Sequence, residues 1–204
     1  MSFFNKAKWF LGIVVIFGIV MATNLIDRNN FQRVNEAVVS IYEDRLVAKG
    51  LIFDMLQVIH QKEMAIATSD ASFFQNNNQQ LSKKLNDFVS AFEKTKLTTE
   101  ELKTLNELKE NLVILKISEK LFYDTKFTES AELKAQIQTV KINLNALSSI
   151  QLKEGRRQMT ISKKAMDMIE LFTNLEIYLL IFIAIAIQVI VMYNPKKRKE
   201  REEE

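Results

Sequence analysis

Apolar residues recur along the first half of the chain at alternating steps of three and four. The series runs through Phe31, Val34, Val38, Ile41, Arg45, Ala48, Ile52, Met55, Ile59, Lys62 and Ile66. This spacing keeps the side chains on one face of a helix and is typical of coiled coils and helical bundles. The pattern predicts one long helix from residue 27 to about residue 70, whose apolar seam is interrupted only by Arg45 and Lys62.

A second series of the same kind covers the last part of the chain. It runs through Leu133, Ile137, Val140, Leu144, Leu147, Gln151, Glu154, Gln158, Ile161, Ala165, Met168 and Phe172. We therefore predict a second long helix from about residue 129 to residue 172. Between the two lie shorter apolar series, Phe74–Phe92 and Leu102–Phe122, and the second of these helices has Thr98 or Thr99 as its N-cap.

The composition supports a chain made of helices. It contains one proline, four glycines and no cysteine in 204 residues, so turns are few and neither a disulfide nor a cysteine metal site is available. The predicted fold class is all-α: an antiparallel four-helix bundle whose long first and fourth helices continue into two transmembrane helices.

Two apolar blocks, residues 9–26 without a charge and residues 173–193 with only Glu176 near its start, are long enough to cross a membrane as helices. Trp9, Tyr178 and Tyr193 stand near the ends of these blocks, where interfacial aromatic anchors are expected. A cleaved secretory signal is the alternative interpretation of the first block.

Basic residues flank both blocks on the same side. By the positive-inside rule, residues 1–8 form a cytoplasmic N-terminus, residues 27–172 lie outside the cytoplasm, and residues 194–204 form a short cytoplasmic tail. An alternative role for the tail is the recognition of anionic lipid or of a partner. The charges that set this topology are Lys6, Lys8, Lys196, Lys197, Arg198 and Lys199.

Charge and histidine content argue against several classes of function. The net charge is only +3, and the basic residues form no stripe along the predicted bundle, so we expect no nucleic-acid partner. His60 is the only histidine, which leaves little basis for an enzyme, a metal centre or any other cofactor site. His60 and Lys62 are weak candidates for ligand binding; the alternatives are a surface histidine and a lysine that reaches solvent or sets the helix register.

The helix lengths place Arg45 level with Glu154, where each of the two long seams becomes polar. We predict that these residues form an ion pair at the junction of the four-helix bundle with a two-helix stalk. The pair is either structural or a signalling element, and Gly50 and Gly155 beside it are candidate hinge positions. The stalk carries apolar stripes that two helices cannot cover, which predicts a homodimer.

The stretch "IYEDRLV", Ile41–Val47, resembles a segment of the first sensor helix of bacterial methyl-accepting chemotaxis receptors. The order of span, long helix, two short helices, long helix and span is similar to their four-helix-bundle sensor domain from Lys6 to Tyr193. This resemblance implies a two-pass protein of the bacterial inner membrane with a periplasmic sensor bundle. In that family, the bundle senses small molecules directly or through binding proteins, and helix four moves relative to helix one.

The chain departs from that family in two respects. Only eleven residues follow Tyr193, so we expect the output to belong to a second membrane or cytoplasmic protein. Residues 50–70 contain no arginine, whereas the amino-acid-sensing members clamp their ligands with arginines in this part of helix one. The fold and topology therefore carry over, and the ligand does not.

Two functions remain open at this point. The first is a chemoreceptor-like sensor that transmits helix movement to a partner. The second is an accessory or scaffold subunit of a larger inner-membrane complex. A stoichiometric membrane partner would favour the second, and a homodimer alone would favour the first.

Overall fold

The computed structural model describes residues 3–128 and 130–192, and this part of the chain is helical throughout, with short turns. The order is α1 (Phe3–Ser40), a π-helix (Ile41–Leu46), α2 (Val47–Ala67), α3 (Ala71–Asn76), α4 (Asn78–Glu93), α5 (Thr99–Asp124) and α6 (Ser130–Met192). The all-α prediction is confirmed. Tyr193, Lys196, Lys197, Arg198 and Lys199 lie outside the described residues, as do the side chains of Lys6, Lys8 and Trp9 within α1.

The chain divides into two compact units. Residues 37–160 form one, which contains the π-helix, α2 to α5 and the first part of α6. Residues 1–36 and 161–204 form the other. Each unit is described by itself below.

The unit of residues 37–160 is a four-helix bundle of α2, α4, α5 and α6. Every one of these helices contributes an apolar face to one continuous core, as the periodic spacing predicted. The core residues are Ala48, Ile52, Met55, Val58, Ile59, Ile66, Leu85, Val89, Phe92, Leu105, Leu108, Leu115, Phe122, Leu133, Ile137, Val140, Leu144 and Leu147. This list contains most of the predicted seam positions of the two long helices in this unit.

The start of α5 is fixed by a capping box. Thr98 is the N-cap: its hydroxyl accepts from the backbone N–H of Glu101, and the Glu101 carboxylate accepts from the backbone N–H of Thr98 at 2.5 Å. These bonds satisfy two donors that have no partner inside the helix. Of the two predicted caps, Thr98 is therefore the one used.

The turn between α5 and α6 combines backbone strain with aromatic packing. Lys126 and Phe127 both have positive φ angles, 55° and 68°, a conformation that disfavours residues with a Cβ. Phe127 packs edge-on against Phe122, with ring centroids 5.2 Å apart, and also contacts Phe74. We attribute the stability of this conformation to the aromatic cluster, since the packing holds Phe127 in place.

The first long seam differs from the predicted series at the π-helix. Ala37 is 2% exposed and Val38 is 54% exposed, whereas the series predicted Val38 as the inward residue. The buried positions here are Ala37, Ile41 (half-buried) and Arg45, two successive steps of four. A π-helix produces this change because each of its hydrogen bonds spans one residue more than in an α-helix, which shifts the phase of the side chains. The uninterrupted series was therefore wrong at Val38.

In the unit of residues 1–36 and 161–204, the buried side chains are small or polar. They include Thr23 and Asn30 on α1 and Ser162 and Ala165 on α6. The predicted seam residues Phe31, Ile161 and Met168 are exposed in the single chain, as expected of stripes that two helices cannot cover, and their burial by a second copy stays a prediction. Many large apolar side chains of this unit are exposed as well, among them Phe17, Leu25, Ile181, Phe182 and Val189.

One helix of the described residues is long and apolar enough to cross a membrane. It is the segment Ser130–Ala186, which is part of α6. The two-pass topology and the domain boundaries at residues 9–26 and 173–193 stay predictions, as does the interfacial role of the exposed Tyr178.

Candidate functional site

Lys62 lies in the core of the bundle rather than on its surface. It is 1% exposed and occupies a seam position of α2 between Ile59 and Ile66. An ammonium group without partners would be very costly there, because burial removes its hydration. The surroundings of Lys62 must therefore supply acceptors for all three of its N–H groups.

Three side chains from two other helices meet that requirement. Lys62 Nζ donates to Glu119 Oε1 at 2.7 Å, to Ser82 Oγ at 2.9 Å and to Asn78 Oδ1 at 2.5 Å. Asn78 also donates through its Nδ2 to Glu119 Oε2 at 3.0 Å, so both carboxylate oxygens have partners. The cluster of Lys62, Asn78, Ser82 and Glu119 thus joins α2, α4 and α5 through a closed network.

Burial still disfavours the charged form of Lys62. Its pKa lies below the ordinary value because of desolvation, which outweighs the opposing charge and hydrogen bond of Glu119. The pair therefore offers little net stabilisation over apolar side chains of the same size, although either member alone would be strongly destabilising.

An open cavity of about 1160 Å³ lies between α4 and α5 and reaches down to this network. Lys62 and Glu119 are both among its lining residues. The remaining lining is made of three lysines, several amide side chains and an apolar wall that includes Phe74, Leu112 and Ile117. Lys62, a weak candidate from the sequence, is thus at a cavity, but its N–H groups are already occupied.

His60, the other weak candidate, lies elsewhere. It is exposed, its Nδ1 is 3.5 Å from Glu63 Oε2, and it lines a separate cavity of about 600 Å³ with Asp70, Phe73 and Asn77. Within the described residues, no group of three or more histidine, aspartate or glutamate side chains is arranged to hold a metal ion. The structure does not bring His60 and Lys62 together.

A second buried ion pair lies at the π-helix. Arg45 Nη1 donates to Glu101 Oε1 at 2.6 Å and to Gln151 Oε1 at 3.1 Å, and Nη2 donates to the carbonyl of Lys96 at 3.0 Å. Arg45 therefore connects the π-helix with the α4–α5 turn, α5 and α6. Asp44 on the π-helix strengthens the contact with the turn, because it accepts from the backbone N–H of Lys96.

This second cluster is only partly satisfied. Arg45 Nε and Gln151 Nε2 are buried, and neither has a hydrogen-bond partner in the part of the chain that is described. A buried donor without a partner costs on the order of 1–3 kcal/mol. The Arg45 cluster therefore carries a local cost that the closed Lys62 network avoids.

The predicted pair of Arg45 with Glu154 was wrong. Glu154 is buried near the same level of α6, one turn after Gln151, but its carboxylate accepts from Arg157 Nε at 2.7 Å. Arg45 pairs with Glu101 instead, because the π-helix and the capping box bring these two side chains together at the start of α5. The helix lengths placed Glu154 correctly near the level of Arg45, but they did not identify Glu101 as its partner.

Gly50 and Gly155 occupy ordinary helical positions in α2 and α6. Neither has a positive φ, and a Cβ added to either would meet nothing within 4 Å. Close packing therefore does not require glycine at these positions, and their role as hinges stays a prediction.

A family model described as a four-helix-bundle sensory module for signal transduction matches residues 6–166. The chain belongs to this family. The match confirms the resemblance to the sensor domain of chemotaxis receptors that the helix order and Ile41–Val47 had suggested. Comparisons with curated proteins and with solved structures gave no match.

Sequence reasoning missed both glutamates of this sensory module that pair with buried cations. The signal was present, because Glu101 and Glu119 fall in the same three-and-four series as Leu105, Leu108 and Leu115 on α5. A carboxylate at a seam position of one helix is the expected partner of a cation at a seam position of another. Asn78 and Ser82 carry no comparable signal, since amides and hydroxyls are common at exposed positions.

Replacing Lys62 alone should destabilise the bundle strongly. In Lys62→Met, Glu119 stays buried without its cation, and we expect a loss of about 3–5 kcal/mol in the free energy of unfolding. The double variant Lys62→Met/Glu119→Leu should regain more than half of that loss. Chemical unfolding of the detergent-solubilised chain measures both values.

Lys109→Met is the matched control, since Lys109 forms a partly exposed ion pair with Glu93 between α4 and α5. It should cost less than about 1 kcal/mol. Equal losses in Lys62→Met and Lys109→Met would contradict a buried pair in the core.

A double-mutant cycle should find coupling between Arg45 and Glu101. For Arg45→Met and Glu101→Gln we expect a coupling free energy of about 0.5–3 kcal/mol, because the two share a buried hydrogen bond. The same cycle with Glu154→Gln should give a smaller value. A larger coupling with Glu154 than with Glu101 would show that the ion pair at the π-helix is misassigned.

Proposed function

We propose that the chain is a two-pass membrane sensor that detects a stimulus with its extracytoplasmic bundle and signals to a cytoplasmic or membrane partner. It is not an enzyme in this proposal. The observation that carries it is the continuity of α6. This single helix supplies Gln151 to the Arg45 cluster of the sensory module and also contains the apolar segment that can cross a membrane.

The membrane topology draws support from the unit of residues 1–36 and 161–204. Within the described parts of residues 9–26 and 173–193, large apolar side chains such as Phe17, Leu25 and Phe182 are exposed, whereas the small polar Thr23 is buried, the reverse of a water-soluble unit. Helices that associate within lipid have this arrangement, because lipid solvates large apolar side chains and small residues let helices approach closely. The basic residues that flank both apolar blocks favour cytoplasmic termini by the positive-inside rule, and the proposed membrane is the bacterial inner membrane, as the resemblance to chemotaxis receptors implies.

The signalling role falls to the Arg45 cluster. Its buried donors without partners reduce the free-energy advantage of the present packing over a neighbouring one. The π-helix supports the same assignment, since single π turns inside α-helices occur frequently at functional sites. A stimulus that moves α6 relative to α2 would exchange the hydrogen bonds of Arg45, while Gly50 and Gly155 would absorb the change in the backbone.

A homodimer is part of this proposal. One face of the last turn of α1, the π-helix and α2 carries a row of exposed residues: Val39, Tyr42, Leu46 and Phe53. Four large apolar side chains in such a row are expected to be covered by another surface. A second copy of the chain fits best, because a two-fold symmetric dimer would cover the same row on both copies at once.

The topology can be tested with single cysteines, since the chain has none of its own. Lys103→Cys, at a side chain that is 80% exposed on α5, should react with a membrane-impermeant maleimide in intact cells. Ser2→Cys should react only after the cells are lysed. Reaction of both in intact cells, or of neither, would contradict the two-pass arrangement.

The homodimer predicts disulfide formation at the exposed row. Leu46→Cys and Phe53→Cys should each give a covalent dimer under mild oxidation in membranes, because the two copies would meet along this face. Lys84→Cys, exposed on α4, is the control and should stay monomeric. Equal dimer yields in all three variants would indicate random collision, and a stoichiometric second protein in place of the dimer would favour an accessory subunit.

A further inference from the structure

The cavity between α4 and α5 has an excess of positive charge. Four lysines line it, against one carboxylate. Since Lys62 and Glu119 neutralise each other in the buried network, three cations are left: Lys83 on α4 and Lys116 and Lys120 on α5. All three are exposed at the mouth of the cavity.

Unlike several other lysines of the bundle, these three form no ion pair with a described residue. Lys103, Lys109, Lys141 and Lys153 each form an ion pair with a glutamate. Among the described residues, no carboxylate lies within ion-pair distance of Lys83, Lys116 or Lys120, although Asp87 and Asp124 stand four residues after Lys83 and Lys120. The cationic rim is thus available to a ligand.

Two of the rim lysines also repel each other. Lys116 and Lys120 are four residues apart on α5, so their side chains lie on the same helical face. A like-charge pair in this arrangement destabilises a helix by a few tenths of a kcal/mol. A ligand with two negative charges would remove this repulsion and would bridge to Lys83 on the facing helix.

The amide side chains of the lining supply further hydrogen-bond donors. Asn76, Gln79, Gln80 and Asn86 line the cavity, and none of them makes a side-chain hydrogen bond to another described residue. Asn78, by contrast, is fully used in the Lys62 network. The free amides can donate to oxygen atoms of a ligand and can accept from its hydroxyl groups.

The size and the apolar wall limit the ligand class. A volume of about 1160 Å³ is sufficient for a small molecule, and ligand sites commonly span about 300–1,000 Å³. Ile117, on the apolar wall, is largely exposed to this space, so a short carbon skeleton would be accommodated. Lys62 at the bottom of the cavity cannot bind an anionic group of the ligand, because each of its N–H groups already has an acceptor.

We propose that this cavity binds a small organic dianion, a dicarboxylate or a phosphate monoester, through Lys83, Lys116 and Lys120. The inference rests on the proposed sensor function and adds to it the class of stimulus and the place where it binds. The dianion lies between α4 and α5 within one copy of the chain, above the Lys62 network, and draws the two helices together.

Calorimetric titration of the detergent-solubilised full chain tests this proposal. Succinate and glycerol 3-phosphate are the dianionic probes, and acetate at equal ionic strength is the monoanionic control. We expect saturable heat with at least one dianion and none with acetate. Succinate alone would identify a carboxylate site, glycerol 3-phosphate alone a phosphate site, and both would identify the shared charge as the determinant.

Charge-neutralising variants locate the site. Lys116→Gln, Lys120→Gln and Lys83→Gln should each weaken binding about tenfold or more, because a charged hydrogen bond is lost while these exposed positions leave the fold intact. Lys84→Gln, beside Lys83 but outside the lining, is the matched control and should bind like the unaltered chain.

Absence of saturable heat with both dianions would overturn the proposal, as would equal weakening in Lys84→Gln and Lys83→Gln. The cysteine experiments report separately on the sensor itself. A chain with the two-pass topology and the dimer but without dianion binding would retain the proposed function and lose only this site. A chain that binds a dianion but lacks the two-pass topology would retain this site and lose the proposed sensor function.

Discussion

The bundle depends on the burial of two cations along the seam of its first long helix. Arg45 and Lys62 stand seventeen residues apart, and their partners Glu101 and Glu119 stand eighteen residues apart on α5. In an antiparallel four-helix bundle the first and third helices run in the same direction, so two pairs of nearly equal spacing fix one register between them. Any slip of α5 by one turn would break both buried pairs, at a cost of several kcal/mol for each pair.

The two pairs differ in how many of their buried hydrogen-bond donors and acceptors have partners, and this difference suggests different roles for them. Every donor and acceptor of Lys62 and Glu119 is used, which makes that network a rigid reference point among three helices. The Arg45 cluster leaves two buried donors without partners among the described residues and adjoins a π-helix. Rearrangement therefore costs less free energy at Arg45, the adaptable site, than at Lys62, the fixed site of the same helical seam.

The sequence predicts the helices well because the buried face of each helix requires apolar residues at alternating steps of three and four. The seam from Ala48 to Ile66 and that from Leu133 to Leu147 follow from this period alone. The period cannot reveal a π-helix, since "IYEDRL" contains no residue that demands one. The series therefore predicted Val38 as the inward residue, although Ala37 is the buried one. Nor can it reveal which carboxylate reaches Arg45. That choice depends on the register between helices, which the capping box at Thr98 and the π-helix set through backbone geometry.

The position of α5 connects the cavity to the adaptable site. This helix carries the rim lysines Lys116 and Lys120, then Glu119 of the closed network, and at its first turn Glu101, which holds Arg45. A helix is stiff along its axis, so a displacement imposed on its cavity-facing end reaches Glu101 with little loss. Because Lys62 anchors Glu119, the proposed dianion at the rim lysines would tilt α5 about that pair rather than slide it. A tilt changes the distance from Glu101 to Arg45 and so to Gln151 on α6, the helix that leads to the membrane in the proposed sensor.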